Sequence, residues 1–250
     1  MLLPLVATGC GGMNRQEYIN AIWDVHKSAA DRLSALFQGF NERPDMVDVK
    51  STALHSLELM QEMQRIFSES LDQLEGMKAP GELADLQSRL LALYRDGLAL
   101  SGDFVVAYDH LYEISLVLDT FTKQGLATLE LDIETVPQSQ LVPAMDNDIR
   151  NLKTLTQQLE GYSIEGSMQS FDAYLKDMFN QLVDTLSKHR DAILKDQPEA
   201  RSQLASELTS LSSTLNQDMQ SGIPGLGELG ERLAELKSNF TQLKDEINGL

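Results

Sequence analysis

Apolar residues recur at steps of three and four along most of this chain, the spacing that lines one face of an α-helix. From Tyr18 they run Ile22, Val25, Ala29, Leu33, Leu36 and Phe40. A second segment carries Leu57, Met60, Phe67, Leu71 and Leu74 on one face. The third is the most regular: Leu83, Leu86, Leu90, Leu93, Gly97, Leu100, Phe104, Ala107, Leu111, Ile114, Leu118 and Phe121 alternate the two steps without a break. A helix of that span is about 58 Å long at 1.5 Å per residue, which predicts an elongated bundle.

The pattern returns in the second half. Phe171, Tyr174, Met178, Leu182, Leu186 and Ile193 share a face, followed by Leu204, Leu208, Leu211, Leu215 and Met219. Leu226, Leu229, Leu233, Leu236, Phe240, Leu243, Ile247 and Leu250 then hold a heptad. A 3.5-residue period implies left-handed packing at shallow crossing angles. Each helix has only one apolar stripe and must bury it against neighbours. The expected fold is all-α, an antiparallel bundle of about six or seven helices that divides into two three-helix units.

Prolines punctuate this order. Pro44 and Pro80 separate the first three segments, and Pro198 and Pro224 the last three. Pro137 and Pro143 bound a looser region, in which LATLELDIETV alternates apolar and acidic residues. A lone strand there has no partner, so an irregular crossover is expected. Asp146 and Asn147 then supply caps for a short helix carrying Ile149, Leu152, Leu155 and Leu159. The predicted organisation is an N-terminal tether over 1–13, a first helical unit over 14–124, crossover and short helix over 125–166, and a second unit over 167–250. The two triplets share a rhythm, but amphipathic helices generally resemble one another, so a duplication is not established.

Composition narrows the class. Apolar residues make up 42% of the 250 positions and charged residues 23%, as in a folded protein. The net charge of −18 and the lack of a basic patch exclude the electrostatic footprint of nucleic-acid binding. The same charge opposes attachment to anionic lipid through a basic face. No window approaches 18 consecutive apolar residues. A single cysteine, Cys10, excludes an internal disulfide and a zinc site built on cysteine pairs.

Candidate chemistry is sparse. His55 with Glu58, and His110 with Glu113, have the spacing of a bundle metal site, yet both pairs flank their apolar stripes and are expected on solvated faces. His26 and His189 sit among polar neighbours and are read the same way. His189 precedes Arg190 near a helix end, where a cation suits the helix dipole. No phosphate loop, calcium loop or nucleophile–histidine arrangement is present in the sequence, so no catalytic residue, metal or cofactor is expected. Asn239-Phe240-Thr241 fits a glycosylation acceptor but lies inside the heptad segment, with Phe240 in its stripe. Trp23 is expected to widen the core face of the first helix. The Met60, Met63 and Met77 group reads as core filling. Gly97 stands at a core position in the longest helix, at up to about 1 kcal/mol relative to Ala. It signals close helix approach, a bend or a small cavity. With Gly102 nearby, it marks the level at which a ligand pocket is to be sought.

The residues Leu5-Val6-Ala7-Thr8-Gly9-Cys10 resemble the lipobox of bacterial lipoproteins, with small residues before an obligatory cysteine. An apolar stretch precedes them and Gly11-Gly12 follow. The resemblance implies cleavage before Cys10, transfer of a diacylglycerol to its thiol, and a mature chain anchored on the outer side of a bacterial membrane. Ala7 stands where the family usually has leucine. No basic residue precedes the apolar stretch, which predicts a gene start upstream of Met1. The helical body is similar to all-helical envelope lipoproteins. The function this implies is that of a lipid-anchored structural or protein-interaction module. A ligand-binding or sensory bundle with a pocket near Gly97 is one alternative, and a membrane-active bundle whose segment 125–143 rearranges is another. The C-terminal heptad either packs within the bundle or pairs with a second copy.

Overall fold

The computed structural model describes residues 13–41, 49–220, 223 and 225–250. Among these, seven α-helices and three short 3-10 turns account for the regular structure. The helices are α1 (Arg15–Asn41), α2 (Val49–Glu75), α3 (Ala84–Gln124), α4 (Gln138–Glu160), α5 (Gln169–Leu194), α6 (Ala200–Gln220) and α7 (Leu226–Asn248). The all-α expectation holds, because the 3.6-residue stripe recurs through nearly the whole chain and leaves no alternating segment to make a sheet.

Local chemistry sets several helix ends. At the start of α1, Asn14 Oδ1 accepts from the Glu17 amide at 2.9 Å, and Glu17 Oε2 accepts from the Asn14 amide at 3.1 Å. This reciprocal pair is a capping box with Asn in the usual Ser/Thr place. The α2–α3 turn is fastened by Gln87, whose Nε2 donates to the Met77 carbonyl at 2.6 Å while its Oε1 accepts from the Ala79 amide at 3.2 Å. At the end of α3, Gly125 has φ +62° and its amide donates to the Phe121 carbonyl at 2.9 Å. That left-handed stop is strained for any residue with a Cβ.

The chain divides into two compact units. The first comprises Met1–Asp45, Ser56–Val105 and Gly230–Leu250, and the second Met46–His55 and Val106–Leu229. This division cuts across the sequential triplets that the prolines suggest. Helix α7 joins the first unit, and α3 contributes to both. In the first unit, Tyr18, Ile22, Met60, Phe67, Leu90 and Tyr94 are buried at its centre. The heptad stripe of α7 is spent on the same core, through Leu236, Phe240, Leu243 and Ile247. Trp23 is only half-buried beside the fully buried Ile22.

In the second unit, α4 and α5 pack most extensively together, with α6 against α5. Its core is largely aliphatic, with Leu141, Leu152, Leu159, Leu175, Phe179, Leu186 and Leu204 buried. The proline reading holds only in part at α4. This helix begins at Gln138, directly after Pro137, and contains Pro143. Pro137, at the N-cap, does end the crossover, but Pro143 is the sixth residue of the helix, where it removes the amide that would bond the Ser139 carbonyl, and α4 continues through it. Asp146 and Asn147 are therefore within α4 and cap nothing. The crossover before it forms a 3-10 turn at Ala127–Glu130 and no strand. Arg201 of α6 holds that crossover, donating from one guanidinium nitrogen to the carbonyls of Ile133 (3.0 Å) and Val136 (2.6 Å).

Candidate functional site

Helices α1, α2 and α7 line a half-open cavity of about 280 Å³ in the first unit. Leu33 and Phe37 of α1, Met63 and Phe67 of α2, and Leu236 and Phe240 of α7 supply its apolar wall. Ser34, Gln38, Lys237, Thr241 and Lys244 add polar groups, and all five are exposed. Lys237 and Lys244 are seven residues apart on α7, so both stand on the face that carries Phe240 and Thr241.

The wall is backed by an aromatic and polar cluster. Phe240 stacks on the His26 imidazole, with ring centroids 4.1 Å apart and 19° between planes. Tyr94 stands edge-on to both His26 and Phe67, 5.9 Å from each. His26 is fully buried. Its Nε2 lies 3.2 Å from the Phe240 carbonyl, and its Nδ1 lies 3.0 Å from the Tyr94 hydroxyl. A carbonyl oxygen only accepts, so Nε2 carries the proton, and the bare Nδ1 accepts from the Tyr94 hydroxyl. Burial pushes the His26 pKa down to about 4, helped by the positive field of Lys244 and opposed by the Phe240 carbonyl. The imidazole is thus neutral at pH 7. Burial also pushes the Tyr94 hydroxyl well above its ordinary value, leaving it protonated as a donor.

This overturns the reading of His26 as a solvated residue. Asp24 and Lys27 flank it in sequence, but His26 lies four residues after Ile22 and three before Ala29, within the apolar stripe. His189 corrects in the same way. It is three residues after Leu186 and four before Ile193, it is buried, and its Nε2 lies 3.1 Å from Glu207 Oε2. Lys188 reaches the other oxygen of Glu207 at 2.9 Å.

Gly97 is a close-approach glycine. A Cβ built on it would lie 2.4 Å from Phe67 Cε1, so the Phe67 ring fills the space that a side chain would take. Gly102 meets only the Gln64 side chain, at 3.5 Å. Neither glycine is among the residues lining the cavity, but the ring that presses on Gly97 is part of its wall. Cys10 lies outside the described residues.

The histidine–glutamate pairs gather no third ligand. His110 Nδ1 is 3.3 Å from Glu113 Oε2, and its Nε2 accepts from the Glu165 amide at 3.4 Å. His55 is half-buried while Glu58 is exposed. Among the described residues no group of three His, Cys, Asp or Glu side chains could hold a metal ion, and no helix is long and apolar enough to cross a membrane.

The second unit offers a different arrangement. Asp148 of α4 is buried, and its two oxygens accept from the Ala127 amide at 2.9 Å and the Thr128 amide at 2.8 Å. This carboxylate is consumed in holding the 3-10 turn. A cavity of about 280 Å³ lies nearby in sequence terms, walled by Phe121, Leu126, Met178, Leu182, Leu208 and Leu211, with Thr122 and Ser212 its hydroxyl groups. None of its lining residues is charged. Compared with protein-family models, curated proteins and solved structures, the chain finds no match, and what it does must be argued from its own residues.

Proposed function

We propose that this chain is a lipid-anchored helical protein of the bacterial cell envelope whose body acts as a binding module. The observation that carries the reading is the Leu5-Val6-Ala7-Thr8-Gly9-Cys10 stretch, with its single cysteine ahead of a helical body. A double acyl chain at Cys10 would be strong enough to hold such a body at a membrane. Metabolic labelling with an alkyne fatty acid in a bacterial host tests the anchor. Label on the native chain that is lost in Cys10→Ser is expected. An unmodified Cys10 by mass spectrometry of the native-host protein overturns it.

A second reading, that the first unit binds a small molecule, is favoured by the aromatic-walled cavity. Pockets of this kind, apolar with a few polar groups at the mouth, are the usual form of ligand sites between helices.

A further inference from the structure

The cavity of the first unit has a charge pattern opposite to that of the chain. The protein carries 38 acidic and 20 basic residues. Chance would therefore put carboxylates around an opening more often than ammonium groups. The cavity is lined instead by two lysines and no acidic residue. Neither lysine has an ion-pair partner among the described residues, whereas most other basic side chains of this unit do, Lys78 excepted. Arg32 binds Glu62 and Glu69, Lys27 binds Asp31, Arg89 binds Asp85 and Glu246, Arg95 binds Glu75, and Arg232 binds Asp103. Two unpaired cations thus stand beside an apolar hollow whose wall includes Phe37, Phe67 and Phe240.

Resting on the second reading above, we propose that this cavity binds an amphipathic anion, a free alkyl or aryl carboxylate. Its hydrocarbon part lies between α1, α2 and α7, and its carboxylate sits between Lys237 and Lys244. Size sets the hydrocarbon. A volume of about 280 Å³ is close to twice the ~150 Å³ cavity that encloses benzene, so a moiety of about ten carbons fits. Thr241 stands between the lysines on α7, and Ser34 and Gln38 face the same opening from α1. These polar groups suit a solvated headgroup at the mouth.

The test is calorimetric titration of the full chain at low ionic strength with decanoate, decanol and decyltrimethylammonium, each below its micellar concentration. Decanoate is expected to bind one per chain, about tenfold tighter than decanol, with the cation weakest. Lys237→Gln and Lys244→Gln should each weaken decanoate about threefold and leave decanol unchanged, the size expected for exposed ion pairs. Ala30→Leu extends into the cavity from its α1 wall and should abolish binding of all three, with the helical circular dichroism signal retained. Decanol binding as tightly as decanoate, or lysine variants that leave decanoate unaffected, overturns the anion assignment and leaves the cavity reading standing. Failure of all three probes to bind, or decanoate binding that survives Ala30→Leu, overturns the cavity reading as well.

Discussion

The two units contain cavities of equal volume, about 280 Å³ each, that differ in what surrounds them. In the first, aromatic rings form the wall, lysines stand at the opening, and a neutral histidine is locked behind the wall. In the second, the lining is aliphatic with one aromatic ring and no charged residue, and a buried carboxylate of the unit, Asp148, serves a backbone turn. Equal volume therefore does not mean equal chemistry. Selectivity comes from the few polar groups at the edge, and rigidity comes from what braces the wall. The first unit invests three contacts in bracing: His26 against Phe240, Tyr94 against His26, and Gly97 against Phe67.

The largest expected effect removes a braced wall residue. Phe67→Ala should cost about 3–5 kcal/mol in urea-induced unfolding, because a fully buried ring is lost next to space that is already open. A cost below about 1 kcal/mol would show that Phe67 braces nothing. Next comes the counterpart in the second unit. Asp148→Ala leaves one buried and one part-buried amide without acceptors and should cost about 2–4 kcal/mol. Hydrogen exchange should quicken at Ala127 and Thr128 while amides around His26 keep their protection. Loss of protection in both units alike would erase the distinction drawn between them.

The third prediction uses acid. A His26 pKa held at about 4 in the folded state lies below the ordinary 6.5 of the unfolded chain. The unfolded state then binds the proton first, so stability is full above pH 6.5 and is lost as pH falls toward 4. The loss is on the order of 3 kcal/mol when complete. It should appear as faster amide exchange in the first unit between pH 6.5 and 4, and His26→Gln should flatten it. A profile unchanged by that substitution refutes the assignment. The smallest effect concerns Gly97→Ala. The added methyl collides with the Phe67 ring and overpacks the site, while the helix gains up to about 1 kcal/mol, for a net loss of about 1–2 kcal/mol. The ring's free direction is into the cavity it lines, so decanoate binding should weaken with it. Unchanged stability and unchanged binding would detach Gly97 from the cavity.

The helices were legible because their stripes are long. The α3 series from Leu83 to Ile114 is buried almost as spaced, with Gly97 pressed by a ring where a side chain is missing. What escaped the sequence has two physical causes. Proline marks the boundary at Pro137 but not at Pro143, where the packing of α4 on α5 outweighs one lost amide bond. The chain neighbours of a histidine mislead, because on a helix the neighbours in space are three and four residues away. The spacing of His26 from Ile22 and Ala29 held the signal. The cavity itself was not legible. Its residues come from α1, α2 and α7, and no local pattern announces that Lys237 and Lys244 share an opening with Phe37. Nor did sequence order reveal that α7 belongs with α1.

That last pairing has a consequence for how the protein is made. His26 meets its carbonyl partner 214 residues further along the chain. At roughly 5–20 residues per second, a ribosome needs about 10–40 s to reach Phe240 after passing His26. Through that interval the stripes of α1 and α2 lack the helix that completes their core. The second unit, drawn from Met46–His55 and Val106–Leu229, has all its residues earlier. Synthesis thus supplies the inner part of the sequence before the outer parts can close on each other, and the apolar faces of α1 and α2 wait for α7 throughout that interval.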